Sequence, residues 1–417
     1  MILVFERFNL PEIIFPMEEE KKTSHYKSVI VGLSGGLNSA VAAMLLKIQK
    51  IDLIAVTIDS GSVYGSDPAQ NFSCHIESTR LQKIKDFCHS INIPLHVIKS
   101  SEVFNEEVVE RWIAQKLCGA IKDQCFSCHK MRMRLLYDKM IEHKADGIVT
   151  GHFAKVYTNP TTGEVSISSA NDELHDQSHL LGTLPQSILS KLILPLSDLS
   201  TKEVDKLAAN FFLNFESPKI KINDCFPQTE ETKNFLESRV PVSLRAPGEI
   251  YDLGRVHNLG AHSGVHNLEI EKDIQPQGRH GNSADHLRLA RYSLRDKIVE
   301  VAEESSFKGN AIQLIHCAFM EDVDTSFPFR AWVKVEDSFY EGMVYPKNLF
   351  TVFIQLEEDV TLFEGVNLTC YKKKGKNSKV YLNGKVKRLK KIHLTAKVDN
   401  SDNEENIEPS VDHEKYF

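Results

Sequence analysis

Through the first half of the chain, short apolar runs alternate with stretches whose hydrophobic residues recur every three to four positions. Lys27–Val31, Leu53–Ile58, Pro94–Ile98 and Gly147–Thr150 are rich in Val and Ile and read as buried strands. Between them Asn38–Gln49, His75–Ser90, Glu106–Leu117 and Met131–His143 carry the helical period. Such alternation predicts a parallel sheet with helices on both faces. After about Glu203 the pattern changes. Turn residues punctuate strand-like runs such as Gly248–Leu253, and from Arg330 on, runs such as Phe350–Leu356 alternate as in an antiparallel sheet or barrel. The expected organisation is a flexible extension (1–25), a parallel-sheet α/β domain (26–205), a small mixed linker domain (206–275), a C-terminal β-barrel-like domain (276–398) and an acidic tail (399–417).

A length of 417 residues agrees with two or three domains rather than one core. With 41% hydrophobic and 26% charged residues the chain reads as globular, and no apolar run is long enough to span a bilayer. The start, Met1–Arg7, carries charge where a signal peptide needs its apolar stretch. The expected location is therefore the cytoplasm. That setting governs the eight cysteines, Cys74, Cys88, Cys118, Cys125, Cys128, Cys225, Cys317 and Cys370, because a reducing compartment disfavours structural disulfides. Clustered cysteines then suggest metal binding or thiol chemistry, and Cys88, Cys317 and Cys370 read as small buried hydrophobes.

The net charge of −7 is unevenly spread. Asp399–Phe417 holds seven acids and one lysine, which leaves the rest near −1; this tail should be disordered. Between Glu364 and Asp399 there is no acid, only Lys372, Lys373, Lys374, Lys376, Lys379, Lys385, Lys387, Arg388, Lys390, Lys391 and Lys397. Such a block can neutralise phosphates or be a solvated face.

Three segments carry chemistry. Val31-Gly32-Leu33-Ser34-Gly35-Gly36-Leu37-Asn38-Ser39-Ala40 follows the first strand and opens the first helix. Its glycines let the backbone approach a phosphate, and the helix N-terminus supplies unpaired N–H groups. There is no Gly-Lys-Ser/Thr, so this is not a Walker loop. It resembles the pyrophosphate loop, Ser-Gly-Gly-x-Asp-Ser, of the ATP pyrophosphatases, which cleave ATP between the α- and β-phosphates to adenylate a substrate. Asn38 stands where that family has Asp, with a weaker hold on Mg²⁺. The second segment is Cys125-Phe126-Ser127-Cys128-His129-Lys130, compatible with half a zinc site or with a reactive thiol pair beside cations. The third is Asn223-Asp224-Cys225-Phe226-Pro227.

Taken in order, residues 28 to about 260 resemble the tRNA-specific 2-thiouridylases. After the loop and Ser73-Cys74 come the Cys125–His129 segment and Thr150-Gly151-His152-Phe153-Ala154, similar to Thr-Gly-His-Tyr-Ala. Asp176-Gln177-Ser178-His179-Leu180 is similar to Asp-Gln-Ser-Tyr-Phe, Leu194–Leu199 to Phe-Pro-Leu-Gly-Asp-Leu, and Asp224-Cys225-Phe226 to the segment Ile-Cys-Phe. The resemblance implies a HUP-like PP-loop nucleotide domain and an ATP-dependent RNA sulfurtransferase acting on the C2 carbonyl of a wobble uridine in tRNA. Gly32, Leu33, Ser34, Gly35, Gly36, Leu37, Asn38 and Ser39 would hold ATP with Mg²⁺, Ile58 would give a backbone contact to adenine, and Gly151 would lie beside the nucleotide. Cys128 and Cys225 match the two catalytic cysteines; Cys125, Cys128 and Cys225 together match a ligand set for a 4Fe-4S cluster in some members. His152, Asp176 and Gln177 fall at RNA-contact positions, and a persulfide carrier or cysteine desulfurase is the implied sulfur-donor partner.

Departures concentrate in the RNA-holding parts. Val265–Lys272 replaces the family's Tyr-Thr-Ile-Gly-Gln-Arg-Lys-Gly-Leu, Glu336-Asp337 an Arg-Tyr, and Gly365-Val366 a Gly-Gln. Two other classes stay open: a ligase or amidotransferase-type ATP pyrophosphatase, against which the three cysteines argue, and a non-catalytic RNA-binding relative, for which Asn38 is the best argument.

Overall fold

The computed structural model describes residues 26–61, 78–118, 124–215, 226, 229–268, 274, 287–293, 295–320, 323–336 and 338–391. The expectations for 1–25, Cys74, Cys225 and 399–417 lie outside these residues, as does the side chain of Cys118.

The N-terminal half is a five-stranded sheet of β1 (Ser28–Gly32), β2 (Asp52–Asp59), β3 (Leu95–Lys99), β4 (Gly147–Val149) and β7 (Leu192–Ile193), ordered β3-β2-β1-β4-β7 with every pair parallel. Val29 and Val31 enter the core on one face and Ile30 the core on the other, all fully buried. Each such side chain contributes about 1.5–3 kcal/mol by burial, which explains why the strands lack polar alternation. On the first face lie α1 (Leu37–Ile48), α2 (Ser78–Ser90) and α8 (Thr201–Asn210). A short α3 (Ser101–Phe104) runs through a π-helical turn (Asn105–Val109) into α4 (Glu110–Cys118). The second face is covered by α5 (Gln124–Glu142), with α6 (Ser178–Leu181), α7 (Gln186–Leu189) and the hairpin β5 (Lys155–Thr158)–β6 (Val165–Ser168).

A four-stranded sheet ordered β10-β11-β8-β9 follows, from β8 (Gly248–Asp252), β9 (Asn258–His262), β10 (Leu287–Ser293) and β11 (Ile298–Glu303). It draws strands from both sides of residue 275, where the linker and C-terminal domains were expected to divide. The helix α9 (Glu230–Arg239) precedes it, capped by the Thr229 side chain. Then β12 (Lys308–Phe319), β13 (Phe329–Val335), β14 (Ser338–Asn348), β15 (Thr351–Thr361), β16 (Asn367–Tyr371) and β17 (Val380–Lys390) close a six-stranded antiparallel barrel. Its interior is filled by apolar side chains such as Ile312, Leu314, Val333, Val344, Ile354 and Leu382.

The barrel docks on the second face of the nucleotide sheet. Met320, Tyr371 and Val380 join the core under α5. Asn383 Nδ2 donates to the carbonyl of Gly182 at 2.8 Å, and the Ser169 hydroxyl donates to the carbonyl of Gly375 at 2.9 Å. Asp176 sits inside this joint, 6% exposed. Its carboxylate accepts from the Ser178 hydroxyl at 2.8 Å and from the amide of Ala170 at 3.0 Å, with Lys334 Nζ 3.7 Å away. Asp176, expected at an RNA-contact position, thus has its oxygens engaged within the joint, and burial of an unpaired carboxylate would be costly.

Candidate functional site

In the sheet order, β1 has β2 and β3 on one side and β4 and β7 on the other, so the chain reverses direction of winding between β1 and β4. Open parallel sheets bind ligands in the crevice outside the strand C-termini at such a point. Here that crevice is flanked by Leu33–Gly36 after β1 and Thr150–Phe153 after β4.

The loop after β1 is held from below. The Leu33 amide donates to Val56 O at 2.9 Å, and Thr57 Oγ1 donates to Leu33 O at 2.6 Å. Gly35 has φ +77°, and a Cβ there would lie 2.5 Å from Cγ of Arg80. Conformation and close approach both require glycine. Ser39 Oγ donates to Gly36 O at 2.9 Å and accepts from the Ser34 amide at 3.3 Å, which curls the loop onto the start of α1. Gly36 is the N-cap and has no side chain to cap the helix, so the first N–H groups of α1, from Leu37 and Asn38 onward, are suited to an anion. At Gly151 a Cβ would stand 2.6 Å from both the Asn38 carbonyl carbon and the Ser39 nitrogen. The glycine at the end of β4 is thus what lets the two loops meet. Arg80, on α2, places a guanidinium-bearing side chain over Gly35; the sequence reading missed it because nothing nearby marks it.

The cysteine segment differs from expectation in one respect. The helix begins at Gln124 rather than at Met131, so Cys125 and Cys128 lie in its first turns. No proline or glycine interrupts residues 124–142, and nothing forces a later start. Cys128 is 6% exposed, and its sulfur accepts from Arg132 Nε at 3.2 Å. The same guanidinium points Nη1 at Ile58 O (3.5 Å) and Nη2 at Ser60 Oγ (3.3 Å), tying the cysteine to the end of β2. A helix N-terminus and a guanidinium are both complementary to negatively charged sulfur. Arg132 was absent from the expected site, although its spacing of four from Cys128 was the signal.

Cys128 belongs to an apolar cluster with Phe104, Val108, Trp112, Met131, Leu236 and Phe226; Cys125 packs against it. The Phe226 ring stacks on Trp112 with centroids 4.0 Å apart and 10° between planes. Cys225 precedes Phe226 by one peptide bond.

A further group was not anticipated. His129 on α5, His152 after β4 and His179 on α6 converge, with the His129 and His152 rings edge to face at 5.0 Å. His152 Nδ1 lies 2.8 Å from Thr150 Oγ1. Burial pushes His152 and His179 down to about 4, the latter against the opposing charge of Asp176, and holds His129 well below the ordinary histidine range. Burial thus favours the neutral imidazole at all three. Gln177 accepts the Phe153 amide at 3.1 Å and so fixes the loop bearing His152. Among the described residues, no group of three His, Cys, Asp or Glu side chains is placed to hold a metal ion. Cys125 and Cys128 offer two thiolates on one helical turn, and the third expected ligand, Cys225, lies outside those residues.

The parallel sheet, the glycine loop and the switch-point crevice define a HUP-class nucleotide domain joined to a β-barrel. A family model described as "tRNA methyl transferase HUP domain" matches residues 27–228. The chain is 30% identical over 244 residues to the tRNA-specific 2-thiouridylase MnmA of Halothermothrix orenii, covering 58% of this chain and 67% of that one. It is 30% identical over 247 residues to the MnmA of Desulfitobacterium hafniense, covering 58% of this chain and 65% of the relative, just under two-thirds of its length. Among solved structures, the U34-tRNA thiolase NcsA from Methanococcus maripaludis, with its 4Fe-4S cluster, aligns at 20% identity and a TM-score of 0.31, over 51% of this chain and 63% of that one. The chain belongs to the tRNA-specific 2-thiouridylase family.

Proposed function

We propose that this protein is an ATP-dependent tRNA sulfurtransferase that replaces the C2 oxygen of a wobble uridine with sulfur. The observation that carries the reading is the placement of Phe226, the neighbour of Cys225, in the same apolar cluster as Cys128, beside the crevice. Cys225 directly precedes Phe226 in the sequence, and sulfur relay requires that it reach Cys128.

A uracil carbonyl oxygen is a poor leaving group. Attack of that oxygen on the α-phosphate of ATP forms an adenylate and releases pyrophosphate, whose charge suits Gly32–Ser39 and the start of α1. Mg²⁺ would accompany the phosphates, with Asn38 contributing less to its hold than a carboxylate would. Ile58 would offer its backbone to adenine, and Gly151 would border the nucleotide. The terminal sulfur of a persulfide on Cys225 then attacks C2, and AMP departs with the original oxygen. The Cys128 thiolate attacks the Cys225 sulfur, freeing the thiolated uridine and leaving a Cys128–Cys225 disulfide, which an external thiol reductant reopens. Arg132 holds Cys128 in place, its guanidinium complementary to the thiolate that the relay needs. His152 and Gln177 would border the RNA base. A 4Fe-4S cluster on Cys125, Cys128 and Cys225 would instead supply an open iron for sulfide. A persulfide carrier or cysteine desulfurase would load the sulfur, in a compartment such as the cytoplasm that keeps thiols reduced.

Cys128→Ala and Cys225→Ala should each abolish thiolation of total tRNA while ATP binding persists; full activity in either would refute the assignment. Cys125→Ala separates the two sulfur routes, losing iron and activity together if a cluster is used and staying active if a persulfide is. Asn38 is the one feature that favours a non-catalytic RNA-binding relative, and formation of AMP and pyrophosphate from ATP decides against that reading.

A further inference from the structure

The basic block between Glu364 and Asp399 is not one surface. On β17, Lys387 is ion-paired with Glu364, and Lys391, just beyond the strand, lies 2.6 Å from Asp359. The turn joining β16 to β17 is different. Lys372, Lys373, Lys374 and Lys376 are exposed, and none forms an ion pair among the described residues. Glu173 lies beside Gly375 yet pairs with none of them.

The turn is also fixed. Gly375 reverses the chain at φ +86°, the Lys372 amide donates to Lys379 O at 2.9 Å, and the Lys373 amide donates to Ser378 Oγ at 2.9 Å. From the nucleotide domain, Ser169 donates its hydroxyl to Gly375 O and accepts the Ser378 amide, both at 2.9 Å. Ala170, next to Ser169, bonds Asp176, whose neighbour Gln177 holds the loop of His152. The lysine turn is thus anchored to the segment that shapes the rim of the crevice. Beside it Lys374 lies 5.7 Å from the Trp332 ring centroid and Lys379 3.7 Å from that of Tyr157, which stays partly exposed. Protein–protein interfaces are depleted in lysine and protein–nucleic acid interfaces are rich in positive charge, so four exposed lysines on one turn fit a phosphate backbone better than a folded protein partner.

We propose that the Lys372–Lys376 turn, rather than the lysine-rich strand as a whole, grips the phosphate backbone of the RNA at the junction of barrel and nucleotide domain. This rests on the reading of the protein as an RNA sulfurtransferase and names the element that holds its substrate. A fixed turn loses little backbone freedom on binding, so its charges act at full effect.

The test uses the full chain, a labelled tRNA transcript and a salt series, with two variants of equal charge. Lys373→Gln with Lys376→Gln should weaken binding roughly tenfold at low salt and flatten the plot of log affinity against log salt by about two. Lys387→Gln with Lys391→Gln should leave affinity within about twofold and the slope unchanged. Equal losses in both variants, a loss confined to the strand variant, or an unaffected turn variant would each overturn the inference while leaving the sulfurtransferase reading in place. Wild-type protein that fails to bind tRNA would sink both. A labelled polyglutamate that binds the wild type with the affinity of tRNA, and is lost in the turn variant, would assign the turn to acidic protein instead.

Discussion

Replacing Phe226 by alanine tests how the second cysteine reaches the first. The ring is 2% exposed and stacked on Trp112 within the cluster that holds Cys128. Removing a buried phenylalanine costs about 3–5 kcal/mol, of which roughly 0.5–1.5 kcal/mol belongs to the stacked pair beyond its buried area. That energy is local. Local opening around Phe226 should precede unfolding of the domain, so the melting temperature should fall by only a few degrees. The docked fraction should fall far more, since 3 kcal/mol is roughly a 150-fold change in an equilibrium constant. Under mild oxidation the rate of Cys128–Cys225 disulfide formation, followed by peptide mass spectrometry, should drop about 100-fold in Phe226→Ala, and thiolation with it. ATP binding should stay near wild type, and Phe226→Leu should recover most of the loss because it refills the space. Wild-type rates of disulfide formation and thiolation in Phe226→Ala would refute the reasoning, as would a parallel loss of ATP binding.

Gly35→Val should abolish ATP binding in a folded protein, because φ +77° and the 2.5 Å approach of Arg80 leave no room for a side chain; calorimetric titration with ATP checks it. Burial pushes the Cys88 and Cys317 thiols up to about 11, so both should resist alkylation at pH 8 in the folded state, and their alanine variants should thiolate normally at a stability cost of about 1 kcal/mol. His152 and His179 are depressed from 6.5 to about 4, so their contribution is complete above pH 6.5 and is lost as pH falls toward 4. The loss is on the order of 3 kcal/mol per group at most, and melting curves across that window should be flatter in His152→Asn.

The nucleotide domain was largely legible because its physics is local. β1, β2 and β4 are largely buried on both faces and announce themselves as apolar runs, the edge strand β3 is short and only half-buried yet still rich in Leu, Val and Ile, and the glycine loop sits where such a run meets a helix. What was lost in reading depends on contacts between distant segments. The joint that holds Asp176 needs Tyr371, 195 residues on, and Lys334, both from the barrel. His129, His152 and His179 lie on separate elements, and only the fold makes them one cluster. The sheet β10-β11-β8-β9 pairs β8 with β11 in parallel across a long connection, which no alternation of residues reveals. The basic block was visible, but which lysines are neutralised by Glu364 and Asp359 was not.

The central claim is that ATP cleavage and sulfur insertion occur together on a tRNA uridine at this crevice. The most direct measurement incubates the protein, purified without oxygen, with ATP, sulfide or a persulfide donor and an unmodified tRNA transcript, then analyses the nucleosides by mass spectrometry alongside AMP. The account predicts one 2-thiouridine at the wobble position for each AMP formed, and neither product in Cys128→Ala carrying Gly35→Val. AMP formation without sulfur in the RNA, or a tRNA left unchanged with no ATP consumed, would contradict it.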